Sequence, residues 1–232
     1  MIAIVGAGAL AACGGGGGGG SNTSTADPSE VYDLNAAMTQ AYAANAGTQL
    51  RIAGLQATSG SRSFSMTFTL APGSDLGTTT DGRTIKQVAQ TAEVVEAGVT
   101  GTRSLGSVTA YANGPFQPLL TVGGNVYTRY ATLQASLPSA AVPGSGVTPL
   151  VSGVVYSDAA LTQAIGTANV HWTLERVDST HALLCLKTIS TVNTVMSETE
   201  DCLEIDRANG NRVSGARLKV NGLIDGLNLT FR

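Results

Sequence analysis

The sequence predicts a mainly β protein, an antiparallel sheet in the form of a curled sheet, a sandwich or a barrel, with one N-terminal α-helix. Three observations predict this class. Several segments alternate strictly between apolar and polar residues, and turn signals rich in Gly, Asn and Asp separate them. One capped segment has helical periodicity. Charged residues make up 12% of the chain and hydrophobic residues 43%, which argues against disorder.

The helix is predicted over residues 28–44. Asp27, Pro28 and Glu30 have the spacing of a capping box, with proline at the first helical position. The apolar residues that follow recur at helical spacing: Val31, Leu34, Met38, Ala41 and Tyr42. This apolar stripe predicts packing on the sheet, and a lid or a partner-binding face is the alternative.

The period changes to two after the helix. The clearest strand covers residues 63–70, where hydroxylated residues alternate with Phe64, Met66, Phe68 and Leu70. Further strands are predicted from residue 50 and over 83–96, 126–134, 151–156, 170–174, 182–192, 196–205, 212–220 and 223–231. Turn signals include Asn193, Asn209-Gly210 and Asn221-Gly222. Residues 137–149 hold three prolines and are predicted to be a connector.

The first twenty residues indicate the protein's localisation. An apolar run over residues 2–10 leads into Leu10-Ala11-Ala12-Cys13, and seven glycines follow. This pattern resembles the lipobox of bacterial lipoproteins, and the whole organisation resembles Gram-negative lipoproteins with a poly-glycine tether. The resemblance implies a signal peptide over residues 1–12, acyl chains such as palmitate on Cys13, and a flexible tether over 13–26. Residues 27–232 would form one β-rich domain. Gly14, where retained lipoproteins carry Asp, implies the outer membrane.

A rival interpretation exists for the same residues. Gly6, Gly8 and Ala11 fit the dinucleotide-binding fingerprint, which requires a helix to open at the glycines. That helix would run through Gly14–Gly20, and each glycine costs about 1 kcal/mol relative to alanine. The fingerprint is therefore rejected. No segment reaches the ~20 apolar residues of a membrane-spanning helix, so none is predicted.

The other two cysteines are predicted to form a disulfide. If residues 182–192 and 196–205 form a hairpin centred between Asn193 and Thr194, Cys185 lies directly opposite Cys202. Export to an oxidising compartment favours the bond. Two reduced, buried cysteines are the alternative. A zinc site is not expected, because the chain lacks a C-x-x-C motif and a spaced Cys/His pair.

Catalytic motifs are not found. The chain has no G-x-S-x-G, H-E-x-x-H or P-loop pattern, and its two histidines, His171 and His181, are predicted to be surface strand residues. We therefore expect no enzyme activity, cofactor or metal. Residues 206–211 partly match a calcium loop, but Ala208 replaces a required oxygen ligand, which favours a hairpin turn. Arg129 between Tyr127 and Tyr130 could stack on a ligand or belong to an ordinary strand.

These observations favour a non-enzymatic lipoprotein with a binding or structural role, anchored to the outer membrane through Cys13 and facing the periplasm or the surface. The alternative is a carrier of an apolar, lipid-like ligand, in a helix-capped cavity walled by Phe64, Met66, Phe68 and Leu70. A hydrolase is the least favoured alternative. The net charge of −3 and scattered cations exclude a nucleic-acid partner. The identity of a protein or apolar-ligand partner stays open.

Overall fold

The computed structural model of the chain describes residues 29–42, 49–113, 116–131 and 136–232. The predicted signal peptide, Cys13, the glycine tether and the two capping residues Asp27 and Pro28 lie outside the described residues. The described part contains one helix and a series of strands, which are numbered in chain order.

Helix α1 spans Leu34–Tyr42. The strands are β1 (Leu50–Ser59), β2 (Arg62–Thr78), β3 (Thr84–Glu96), β4 (Arg103–Ala112), β5 (Gln117–Gly123), β6 (Val126–Tyr130), β7 (Gly146–Tyr156), β8 (Ala164–Arg176), β9 (His181–Val192), β10 (Val195–Asp206), β11 (Arg212–Ile224) and β12 (Leu227–Phe231).

The strands form one sheet in which each strand pairs antiparallel with the next, from β1 to β12. The sheet curls until its first and last strands meet. Gln56 and Arg232 exchange both backbone hydrogen bonds there, at 3.0 and 3.2 Å. The fold is thus a nearly closed barrel, which confirms the predicted class, and the meeting of β1 and β12 leaves little free strand edge.

Alternation decides which side chains face the barrel interior. In β2 the apolar residues Phe64, Met66, Phe68 and Leu70 are at most 2% exposed, while the hydroxylated residues between them are half-buried on the outer wall. Burying each such side chain contributes about 1.5–3 kcal/mol, so this strand supplies much of the core.

Helix α1 closes one end of the barrel, here called the upper end, where the β2–β3, β4–β5, β8–β9 and β10–β11 turns lie. Leu34, Met38 and Tyr42 are at most 2% exposed and belong to the same core cluster as β2. The Tyr42 ring packs edge-on against Tyr111 and Phe116, with centroids 5.4 and 4.8 Å apart. Packing on the sheet is therefore confirmed.

The predicted start of the helix is wrong. Residues 29–33 are extended, and the Glu30 carboxylate accepts two hydrogen bonds from Arg176, both at 2.7 Å. Tyr32 pairs with Ala141 through two backbone hydrogen bonds. Asp33 is the N-cap, since its Oδ1 accepts the Ala36 N–H at 2.8 Å. Glu30 thus pairs with Arg176 of β8, and Asp33 caps the helix in its place.

Two boundaries in the strands also differ from the predicted ones. Asn221-Gly222 lies inside β11, and the turn forms at Asp225-Gly226, with φ of +51° and +74°. Two positive φ values suit the right-handed twist of a two-residue hairpin. Strand β7 begins at Gly146, inside the predicted connector. In the described part of the chain, no helix has the length and apolarity needed to cross a bilayer.

Candidate functional site

The face predicted to wall a cavity lies in the hydrophobic core of the barrel. Phe64, Met66, Phe68 and Leu70 lie together in the barrel interior, and they share a continuous core cluster with the buried side of α1. The helix therefore packs on the same side of the sheet as the face that the carrier hypothesis assigned to a ligand.

Another part of the barrel interior is lined by polar side chains, which was not expected from the sequence. Its buried polar side chains are Gln90, Ser107, Thr109, Thr121, Thr128, Thr188, Ser190 and Thr199. The hydroxyls of Thr109 and Thr121 lie 3.0 Å apart, and Gln90 Nε2 donates to Asp201 at 3.5 Å, from β3 to β10. Burial, reinforced by the charge of Asp201, raises the pKa of Tyr42. The hydrogen bonds of Thr109, Thr121 and Gln90 offset the desolvation of these three side chains.

A small groove of about 230 Å³ opens at the lower end, which carries the β1–β2, β3–β4 and β11–β12 turns. Its apolar lining includes Phe64, Val94 and Ile224, all of which are at most 2% exposed. Glu96 and Arg103 form its charged rim. The groove therefore gives access to the edge of the core.

Four charged residues tie the β11–β12 turn to the rim of β2–β4, and we call them the lower clamp. Arg62 donates to both Glu96 carboxylate oxygens at 2.6 Å and to Asp225 at 2.6 Å. Arg103 donates to Asp225 at 2.5 and 3.0 Å. Hydrogen bonds from Arg103 and Arg62 lower the pKa of Asp225 to about 2, and Arg62 lowers that of Glu96. The clamp holds the lower end together.

We expect Asp225→Asn to lower the melting temperature near neutral pH and to weaken its pH dependence in acid. The pKa of Asp225 is depressed from 3.8 to about 2 in the folded state. Its contribution is therefore present above the unfolded value and is lost as the pH falls through the folded value. Thermal melts across the acid range check this. Asp75→Asn, which removes a more exposed carboxylate paired with Lys86, is the control. Identical profiles for Asp225→Asn and the parent would contradict the role of the clamp.

A larger groove, of about 560 Å³, lies on the wall of β6–β8, and we call it the outer groove. Its lining includes Arg129, Ser152, Val154, Tyr156, Thr167 and Asn169. The side chains of these residues form a grid, because Arg129 and Thr167 both pair with Val154 across the two ladders, and Ser152 pairs with Asn169. Ser152 Oγ donates to Asn169 Oδ1 at 2.7 Å.

The two tyrosines that flank Arg129 in sequence separate in the structure. Tyr127 is half-buried and pairs with Tyr156 across β6–β7. Tyr130 is 4% exposed in the core, where burial raises its pKa to about 12. Arg129 is exposed next to the Tyr127–Tyr156 pair. Sequence reasoning found this cation but missed Tyr156, which lies 27 residues away and was placed only in a predicted strand.

The predicted disulfide is confirmed. Cys185 pairs with Cys202 in the β9–β10 hairpin, and both φ values of the Asn193-Thr194 turn are positive. The bond lies under Arg217, whose Nη2 is 3.3 Å from each sulfur. Among the described residues, Cys185, Glu200 and Cys202 come within metal-ligand distance of one another, but the two sulfurs are bonded to each other.

The two histidines occupy different settings. His171 is half-buried in β8 and pairs with Lys187. The Nδ1 of His181 lies 3.0 Å from Asp178, and its Nε2 lies 3.7 Å from Asp206. The hydrogen bond with Asp178 raises the pKa of His181. Because a carboxylate faces each ring nitrogen, protonated His181 can form ion pairs with Asp178 and Asp206.

Residues 206–211 form the β10–β11 hairpin turn that the sequence predicted. Asp206 Oδ1 accepts the Asn209 N–H at 3.2 Å. Asn211 Oδ1 accepts the N–H of Asp33, the helix N-cap, at 3.1 Å. The oxygen ligands of the calcium-loop interpretation thus hold the turn and the helix.

These features define the class of protein as a helix-plugged, nearly closed up-and-down β-barrel, whose described part carries a groove on its wall and another at its lower end. Comparison of the chain with protein-family models, with curated proteins and with solved structures finds no match.

Proposed function

We propose that the protein is a lipid-anchored envelope protein that displays its barrel as a non-enzymatic binding module. The observation that carries the proposal is the position of the larger groove, which lies outside the buried core. The apolar side chains of β2 and α1 belong to one buried core, whereas the larger of the two grooves is on the outer wall. A rigid barrel on a tether suits presentation of a wall to a partner, because strands hold side chains in a fixed grid.

The anchoring part of the proposal rests on the lipobox-like sequence before Cys13. Two or three acyl chains hold a protein firmly on a membrane, whereas one binds only marginally. A Gly/Ser-rich chain of about a dozen residues has a typical end-to-end distance of roughly 20 Å, so a tether of this composition would hold the barrel near the lipid headgroups.

We expect the full chain, expressed in a Gram-negative host, to partition with outer-membrane lipids and to carry acyl chains on Cys13. Cys13→Ser is the matched variant and should lose both the added mass and the membrane fraction, while the barrel stays folded. Fractionation and intact mass spectrometry make the measurement. A parent chain without added lipid mass would contradict the anchor.

The second candidate function is a carrier of an apolar ligand, favoured by the apolar lining of the lower groove. Its volume of about 230 Å³ is below the ~300–1,000 Å³ of typical ligand sites. A long acyl chain would therefore enter only if the lower clamp opened and the core rearranged. The packed interior favours the binding module over the carrier.

Native mass spectrometry of the full Cys13→Ser chain separates these two functions. We expect its native and denatured masses to agree, because the apolar side chains of β2 and α1 pack together in one buried core. Asp225→Asn in the same background tests the opened clamp. A lipid-sized extra mass in the native state would contradict this expectation and make the protein a carrier. In that case a larger fraction of the Asp225→Asn variant should carry the extra mass.

A further inference from the structure

We propose that the outer groove binds an acidic saccharide, with Arg129 holding the carboxylate and the Tyr156 side chain, which lines the groove, packing against the sugar ring. This inference rests on the proposed function, since it names the ligand class that the binding module takes. Three neighbouring features of the groove support it: the Arg129 cation, the aromatic side chain of Tyr156 and the Ser152–Asn169 pair.

The cation is available to a ligand. Among the described residues, Arg129 makes no hydrogen bond or ion pair, and its side chain is exposed. Its cross-strand neighbours are apolar, Leu120 on β5 and Val154 on β7. The described lining of the groove contains no Asp or Glu. A guanidinium in this setting fits one carboxylate through two parallel hydrogen bonds.

Tyr156 supplies an aromatic surface for a sugar ring. It lines the groove and lies opposite Tyr127 across β6–β7, in the row next to Arg129 and Val154. Both tyrosines are half-buried, and Val154 is 38% exposed. Rings of this kind offer an apolar face and a polar tip, which matches a saccharide with C–H groups on its faces and hydroxyls at its edge.

The third feature provides partners for hydroxyl groups. Ser152 Oγ donates to Asn169 Oδ1, which leaves the two N–H donors of the Asn169 amide for a ligand oxygen. Thr167 adds a hydroxyl on the neighbouring position of β8 and is exposed. Short polar side chains of this kind fix the orientation of a ligand more than they add affinity.

The same geometry disfavours a phosphate. Phosphate sites use several cations or free backbone N–H groups at a helix end. Here a single arginine lines the described groove, and the strands beside it are paired in ladders on both sides. One cation with aromatic and amide neighbours suits a single carboxylate on a hydroxylated ring.

An NMR titration of the full Cys13→Ser chain with D-glucuronic acid tests this inference, with D-glucose as the neutral probe. We expect amide shifts confined to β6–β8 and weak, saturable binding that the neutral sugar does not reproduce. Arg129→Gln should weaken the binding of glucuronate about tenfold, the loss of roughly one charge-assisted interaction. Arg51→Gln is the matched control, since Arg51 is another exposed strand arginine, on β1.

Three outcomes would overturn the inference: no shifts on β6–β8, equal binding of both sugars, or equal losses in the two arginine variants. None of these outcomes bears on the membrane anchor, which the mass and fractionation measurements on Cys13 test separately. A failed titration with an intact lipid anchor therefore removes the ligand class alone, whereas an unmodified Cys13 removes the anchored module itself.

Discussion

Leu34→Ala is expected to lower the free energy of unfolding by about 2–5 kcal/mol, the range for truncating a fully buried leucine. Leu34 is the first residue of α1 and is fully buried in the core cluster. The substitution removes apolar contacts and leaves a cavity at the upper end of the barrel. Alanine is a good helix former, so the loss reports packing and not helix propensity. Urea unfolding of the full Cys13→Ser chain gives the value.

Val31→Ala is the matched control for Leu34→Ala. Val31 is three residues earlier, in the extended segment before the helix, and is 42% exposed. Its truncation should change the free energy of unfolding by about 0.5 kcal/mol or less. Equal effects of the two substitutions would mean that α1 does not plug the barrel.

Removing the disulfide with Cys185→Ala and Cys202→Ala together is expected to cost about 3 kcal/mol. The two cysteines are 17 residues apart, and the chain-entropy estimate for a loop of this size has that magnitude. The cost arises mainly because the unfolded chain gains freedom. Both cysteines are at most 2% exposed, so some packing is lost as well.

Urea unfolding of the double variant and the parent measures this effect, with chemical reduction of the parent as a second route to the same state. Cys13→Ser should leave the unfolding midpoint unchanged, because Cys13 precedes the barrel in sequence. Equal midpoints for the oxidised parent and the double variant would contradict the stabilising role of the bond.

The strand pattern could be predicted because local rules decide it. In residues 63–70 every second side chain is apolar, and the structure buries that same set. The Cys185–Cys202 bond was predictable since a tight turn at Asn193-Thr194 fixes the register of its hairpin. The barrel form was only one of three predicted, because closure depends on a contact between Gln56 and Arg232, far apart in the chain.

Competition between partners explains two of the three boundary errors, those at the helix start and at the β11–β12 turn. Glu30 has the spacing of a capping-box residue, but Arg176 binds its carboxylate, and Asp33 caps the helix instead. Asn221-Gly222 is a good turn signal, but β11 continues through it to Asp225-Gly226. At Asp225 the turn also brings a carboxylate to Arg62 and Arg103, contacts that no local pattern contains.

Most of the candidate sites could not be predicted from the sequence, because they too depend on contacts that no local pattern contains. The lower clamp joins residues more than 100 positions apart, such as Arg103 and Asp225. Strands β4 and β5, which lack a clear alternation, were not predicted, although β5 borders Arg129. The apolar face of β2 could be predicted from its alternation, but the sequence did not reveal that the buried side of α1 would join it in one core cluster.

A NOESY spectrum of the full Cys13→Ser chain shows directly whether α1 plugs the barrel whose wall carries the outer groove. We expect contacts between the ring protons of Tyr42 and those of Tyr111 and Phe116, because the Tyr42 ring centroid lies 5.4 and 4.8 Å from theirs. Absence of these contacts, in a chain whose strands are otherwise folded, would contradict it. The barrel interior would then be open to a ligand.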